Sequence, residues 1–381
     1  MVVLRFSARL AITSVLLSIG VVPGAARDNV FYSTVIEHFG EWDKDGNGEL
    51  SARELDTLVV DGSITGAPAA AVGTLKSFSR STKVDLPPLT RSYFDERAAV
   101  FSAGGKPTPG IEAKFARALR RISRAQRGVF GDSGPTLETC RQGSLGDCYF
   151  VSMVGGMAWR HPDDLRRLIV ENADGSYIVS FPNDRTRHVP RLTDAQMALT
   201  SSSGNDGLWL AVLEKAYGMV RNDALAEEKR NEETTDAIAR GGSIGPVIRL
   251  LTAHTTSRVN LKSLRKDQGT LDDGLSKLRE RFSAAVAAGM LAGVSSPKEG
   301  TPPGVSPNHA YAVIGFDVAT DTVRLWNPHA NTFRPKGSPG VERGYPTKGG
   351  VFDIPLKDLV MVFDFATFET DRPDLSTSPR P

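Results

Sequence analysis

Arg141-Gln142-Gly143-Ser144-Leu145-Gly146-Asp147-Cys148-Tyr149-Phe150 is the stretch on which the reading of this chain turns. Behind its glycine-punctuated turn, Phe150, Val151, Val154, Met157 and Ala158 recur at three- and four-residue spacing. That spacing predicts a buried helix over residues 151–159. The turn therefore delivers Cys148 to the first turn of a helix. Exposed backbone N–H groups and the positive dipole end favour a thiolate over a thiol there. Gln142 lies six positions earlier, where a side-chain amide reaches back toward the sulfur and can donate to an oxyanion. A cysteine on an apolar helix is otherwise a core residue; this turn favours chemistry.

A base for such a nucleophile is sought further along the chain. Residues 309–316 and 322–327 are both strand-like, and Asp317-Val318-Ala319-Thr320-Asp321 between them is a turn signal, so the pair reads as an antiparallel hairpin. Closing it sets His309 nearly opposite Asn327, where an imidazole and an amide can hydrogen-bond. Of the other histidines, His38 sits near the N-terminus and His161 ends the cysteine helix before Pro162. His188 and His254 have no orienting partner that the sequence names, and His329 closely follows Asn327-Pro328.

These stretches also carry a resemblance. Gln142 to Phe150 resembles the active-site signature of calpain-type proteases, a branch of the papain-like cysteine peptidases, with Tyr149 where that family mostly has Trp. Further landmarks are Gly207-Leu208-Trp209-Leu210-Ala211-Val212-Leu213-Glu214-Lys215-Ala216-Tyr217, Gly241-Gly242, Asn308-His309-Ala310-Tyr311, Leu325-Trp326-Asn327-Pro328 and Gly349-Gly350-Val351-Phe352-Asp353. They stand in order between about residues 128 and 368. The resemblance implies an α+β core of two subdomains, a helical half with Cys148 and a β-rich half with His309 and Asn327. It implies a Cys148-His309-Asn327 triad in a cysteine endopeptidase acting on polypeptides, with Gln142 and the Cys148 N–H holding the oxyanion. Adjacent Glu214 and Lys215 point apart on a helix and read as packing residues. His329 and Ala330 depart from the pattern; His329 stands where the family has a Trp shielding the histidine–asparagine bond, so a more exposed triad is expected.

The chain has 381 residues, enough for two or three domains, and 46 basic against 44 acidic residues, so nothing points to nucleic acid. Its two cysteines are Cys140 and Cys148. If Cys148 stays free for chemistry, Cys140 has no disulfide partner and reads as a small buried residue. Arg5 and Arg9 precede an apolar run over residues 10–22, and Gly24-Ala25-Ala26 supplies small residues for cleavage. This predicts a signal peptide over residues 1–26 and an exported, secreted or periplasmic protein.

Asp43-Lys44-Asp45-Gly46-Asn47-Gly48-Glu49-Leu50-Ser51-Ala52-Arg53-Glu54 fits the EF-hand Ca2+ loop at every constrained position. Asp43, Asp45 and Asn47 offer side-chain oxygens, Glu49 its carbonyl, Ser51 a direct or water-borne contact and Glu54 two oxygens. An EF-hand pair is expected over residues 28–103, its second half degenerate because oxygen ligands are missing around Lys83-Val84-Asp85-Leu86-Pro87-Pro88. A Gly/Pro linker at residues 104–110 leads to the catalytic core, residues 111–368, divided into subdomains at about 111–240 and 241–368. Residues 111–127 form a basic amphipathic helix, for which docking on a neighbour is favoured over contact with an anionic membrane. The charged run 227–233 reads as solvated, and residues 369–381 as a disordered tail. Two other functions fit the same residues: a catalytically dead, calcium-regulated binding protein on this scaffold, and a transglutaminase-like acyl transferase. The latter class mostly has Asp rather than Asn as third member.

Overall fold

The computed structural model describes residues 30–80, 87–105, 110–182 and 185–373. The expected signal peptide and the ligand-poor stretch at Lys83 to Leu86 lie outside them. Among the described residues no helix is long and apolar enough to cross a membrane.

Helices come first. α1 (Val30–Trp42), α2 (Ala52–Val60), α3 (Gly66–Ser79) and α4 (Arg91–Ser102) form two helix–loop–helix units. A bridge between Glu49 and Thr90 joins their loops, and the Leu50 N–H donates to the Leu89 carbonyl at 3.1 Å. α5 (Ile111–Arg124), which the sequence assigned to the core, packs both on these helices and on residues 195–201 of the core, and so joins the two. Its stripe of Ile111, Phe115, Ala118 and Ile122 is buried in the module's apolar cluster, with the Phe115 ring 5.5 Å from that of Phe31. An apolar face so occupied is not offered to a membrane.

The helical half of the core follows: α6 (Cys148–Arg160), α7 (Pro162–Arg167), a small antiparallel sheet of β1 (Ile169–Glu171), β2 (Tyr177–Phe181) and β3 (Arg185–Val189), α8 (Asp194–Leu199), α9 (Trp209–Asp223) and α10 (Ile244–Thr252). α10 shares one apolar cluster with α6, so the helical half runs some ten residues past the boundary expected at 240. Glu233, read as part of a solvated run, is fully buried; Lys215 pairs with it at 3.0 Å and Gln196 donates to it at 2.8 Å.

The β-rich half holds β4 (His254–Asn260), α11 (Gln268–Ala287), β5 (Ala292–Ser295), β6 (Ala310–Asp317), β7 (Thr322–Trp326), β8 (Val351–Pro355), α12 (Leu356–Val362) and β9 (Phe365–Pro373). Its antiparallel sheet has the order β4-β9-β5-β6-β7-β8. β9 crosses the sheet between β4 and β5, so the chain stays ordered through Pro373 where a tail was expected from 369. Alternation along β6 explains how the halves join. Ala310, Ala312 and Ile314 face the cluster containing α6, whereas Tyr311 and Val313 face α11 and α12 on the other side. The result is an α+β core in which the cysteine helix lies directly on the strand that follows His309.

Candidate active site

Cys148 begins α6, as the apolar periodicity required, with Asp147 as the preceding cap residue. Both cysteines are free, and Cys140 is buried with its thiol directed at the Thr136 carbonyl, 3.2 Å away. The sulfur of Cys148 lies against the backbone N–H groups of Ala310, Tyr149 and Cys148 itself. His309 is thus one residue away along the facing strand. Gly242 packs so closely that a Cβ there would approach the Tyr149 ring to 2.4 Å, which pairs the glycine landmark with the ring next to Cys148.

The histidine–asparagine geometry is built from both chain ends of the hairpin. Asn308 sits at φ 48°, a left-handed conformation that asparagine tolerates, and turns the chain into β6. Ser296 accepts from the His309 N–H at 3.0 Å and fixes its backbone. Beyond β7, the Asn327 N–H donates to the Gly350 carbonyl at 2.9 Å, and a Cβ on Gly350 would meet the Asn327 oxygen at 2.4 Å. His309 Nε2 and Asn327 Oδ1 stand 2.8 Å apart. Because a carbonyl oxygen only accepts, Nε2 carries the proton and Nδ1 keeps its lone pair. Asn327 Oδ1 also accepts from the His329 N–H at 3.0 Å, while its Nδ2 donates to Asn331 Oδ1 at 3.0 Å. Asn331, which nothing in the sequence singled out, therefore fixes which way the Asn327 amide points.

Exposure differs from expectation. His309 is 6 % and Asn327 1 % exposed, and the His329 ring stacks on His309 with centroids 4.2 Å apart. His329 covers the ring that a Trp was expected to shield. Burial, the charge of His329 and, opposing them, the Asn327 bond hold His309 down at about 3. Burial likewise pushes the Cys148 thiol up to about 11, against the N–H groups aimed at it. A helix end is worth about 0.3–1 kcal/mol, under one pKa unit, whereas burial moves a group by up to 3–5 units. Both shifts favour a thiol and a neutral imidazole over the thiolate the helix end alone suggests.

Gln142 departs from its expected orientation. Its Nε2 donates to the Leu145 carbonyl at 2.8 Å and to Asp147 Oδ1 at 3.3 Å, so both amide protons are engaged within the turn. Beneath the turn Asp147 meets Glu214, both fully buried. Glu214 accepts from the Ser201 N–H and, at 3.0 Å, from the Ser201 hydroxyl. Two bare carboxylates about 4 Å apart would repel by roughly 4 kcal/mol at an effective dielectric of 20, so the pair retains a proton. Burial and the partner's charge raise Glu214 well above its usual range, and burial lifts Asp147 to about 6. Glu214 thus acts as the packing residue expected, with a proton-sharing partner that the sequence did not reveal. His254, which lacked a nameable partner, has one in Glu369 at 2.6 Å, and His161 bonds the Gly289 carbonyl at 2.7 Å; neither approaches the Cys148 surroundings described above.

Of the six calcium-loop residues, the fold gathers three carboxylates: single oxygens of Asp43, Asp45 and Glu54 lie within 4.8 Å of one another. Asn47 is drawn in by its N–H to Asp43 and Asp45, both at 3.1 Å, and its own Oδ1 accepts from the Glu49 N–H. The Ser51 hydroxyl donates to Glu54 Oε2 at 2.8 Å and caps α2. Burial opposes charge on Glu54, but bonds from Ser51, Lys44 and Asp45 hold its carboxyl below the usual range. None of the three carboxylates forms an ion pair among the described residues, and hard oxygens so clustered suit a calcium ion.

This chain belongs to the calpain family of cysteine proteases: that family's model matches residues 96–338. The family is one of thiol peptidases, hydrolases that act on polypeptides. No curated protein matches the chain.

The buried carboxyl pair gives a pH test with a definite sign. The folded state holds these protons more tightly than the unfolded chain, so stability is full below about pH 4, falls as pH rises through about 6 where Asp147 titrates, and falls further as Glu214 loses its proton at higher pH. Glu214→Gln replaces the shared proton by a permanent amide donor. Thermal melts across that window should show a flatter dependence for the variant; an unchanged slope would dissolve the pairing.

Proposed function

We propose that the protein is a calcium-dependent cysteine endopeptidase using Cys148, His309 and Asn327. The observation that carries this is the 2.8 Å His309–Asn327 bond, which leaves Nδ1 bare beside the strand against which the Cys148 sulfur rests. Since thiol and imidazole are both neutral at rest, the thiol proton passes to His309 Nδ1 as sulfur attacks the peptide carbonyl. His309 then returns it to the leaving amine. Asn327 keeps the ring in that tautomer and orientation, with Asn331 behind it. The Cys148 N–H, first of α6, faces the developing oxyanion; the Gln142 amide joins it only by giving up its bond to Asp147 or Leu145. Water then releases the acyl group by the same route in reverse.

Asp43, Asp45, Asn47, Glu49, Ser51 and Glu54 would hold calcium in the first helix–loop–helix unit, the second serving as its packing partner. The bound ion supplies charge that lets three clustered carboxylates order the loop ahead of α2. Contacts that support coupling run from there to the nucleophile. The Thr193 hydroxyl donates to the Val59 carbonyl at 2.6 Å, and the Gly66 N–H to Asp194 at 2.9 Å, tying α2 and α3 to α8. At the other end of α8 the Leu199 carbonyl accepts from Ser144 in the active-site turn at 2.9 Å. Lys76 of α3 pairs with Asp236 at 2.8 Å, and three residues on, the Ala239 carbonyl accepts from Gly146 at 3.0 Å. Export by residues 1–26 completes the reading: the enzyme works outside the cytoplasm, where calcium is plentiful.

The full chain from residue 28 should digest an unstructured protein with calcium and stall with chelator. Cys148→Ala should remove activity by roughly 10⁶-fold and Asn327→Ala by less, leaving a measurable rate. An active Cys148→Ala chain would sink the assignment. Separately, Glu54→Gln should weaken calcium binding roughly tenfold or more, since a bidentate carboxylate becomes an amide. Isothermal titration reads this; equal affinities would remove the loop as a calcium site.

A further inference from the structure

A cavity of about 650 Å³ opens between the helical module and the active-site turn. Arg80, Lys114, Arg117, Arg121, Arg141 and His329 line it, and among the described residues no aspartate or glutamate does. In a chain with 46 basic and 44 acidic residues, that segregation is a built feature of the wall. Part of the charge has partners. Arg80 pairs with Asp236, which Lys76 already shares. Arg121 donates to the Thr200 and Ser201 carbonyls, and Arg141 to those of Glu138 and Cys140. Carbonyls orient a guanidinium without cancelling its charge.

Lys114 and Arg117, one turn apart on α5, form no ion pair among the described residues. Burial, then Arg117 and Arg80, hold the Lys114 ammonium below the usual lysine range; the Phe78 ring, 5.4 Å away, is the partner it has. Cations that outnumber the counter-charges beside a recess repel one another, and an anion entering the recess relieves that repulsion. The place is also telling. The cavity reaches the turn at Gln142 and Ser144, and His329 on its wall stacks on His309. His309 hands its proton to the leaving amine, so residues C-terminal to the cut leave on the His309 side of the sulfur.

Resting on the peptidase reading above, we propose that this cavity binds acidic side chains of the polypeptide substrate, on the C-terminal side of the scissile bond. Lys114 and Arg117 are the specificity-determining contacts, with Arg141 and Arg80 contributing field.

The test uses the full chain with calcium and one peptide made in three forms, with Glu, Gln or Lys at successive positions C-terminal to the cut. The native enzyme should favour Glu over Gln by about tenfold in kcat/KM, the discrimination typical of one charge-assisted contact. Added salt should erode the preference. A Lys114→Glu, Arg117→Glu double variant should invert the order to Lys over Glu. Indifference of the native enzyme to charge, or an acidic preference surviving in the double variant, would overturn the proposal. Should no peptide be cleaved, the peptidase reading fails by itself. The Cys148→Ala chain, titrated with the Glu and Lys peptides, then decides the cavity's role: tighter binding of the Glu peptide supports it and equal binding overturns it.

Discussion

The active-site turn owns almost none of the structure that holds it. Between Arg141 and Gly146 the backbone forms no helix or long strand, so its polar groups must be satisfied from elsewhere. They are: Arg141 exchanges bonds with Ser202 at 2.8 Å, Gln142 donates to Pro328 at 2.9 Å, Ser144 to Leu199 and Gly146 to Ala239. Three distant segments therefore grip one turn. One follows the helix docked on the N-terminal module, one lies beside the ion pairs of Lys76, and one follows Asn327. The position of Cys148 depends on all three at once. Any displacement of the helical module is felt at Cys148 through two of them.

The second governing quantity is dryness. A helix N-terminus and the N–H groups at the sulfur would lower a thiol pKa in water-filled surroundings, but desolvation holds the half-buried Cys148 and the buried His309 toward their neutral forms. The same lack of water makes Asp147 and Glu214 share a proton directly beneath the turn. It also lets a stacked His329 do a shielding job that needs no larger ring. On the proposed mechanism, chemistry in such a site would begin with proton transfer during attack, and a change that admits water or substrate dipoles would shift the balance toward the ion pair.

Much of this was legible because it is local. The cysteine helix and the β6–β7 hairpin announce themselves through periodicity and turn residues, and the hairpin's closure placed His309 opposite Asn327. What escaped is what depends on partners far apart in sequence. Glu233 sits in a run of charges that reads as solvated, and Lys215, Gln196 and Thr235 together make its burial bearable. Residues 369–373 look like the start of a polar tail until β4 pairs with them, prolonging the strand that β4 and β5 flank over residues 365–368. The α5 helix shows an amphipathic face, but periodicity does not say which apolar cluster receives it. Gln142 is of the right type at the right distance, yet Asp147 and Leu145 compete for its two protons.

The most direct test is the rate at which Cys148 is alkylated by iodoacetamide as a function of pH, in a Cys140→Ala background, with chelator and with calcium. In chelator the account predicts slow labelling at pH 7 that climbs toward a midpoint near 11, where burial places the thiol. Calcium should accelerate labelling at neutral pH, and His309→Ala should cancel that gain. Fast labelling in chelator, level from pH 5 to 8 as a preformed thiolate–imidazolium pair gives, would contradict it.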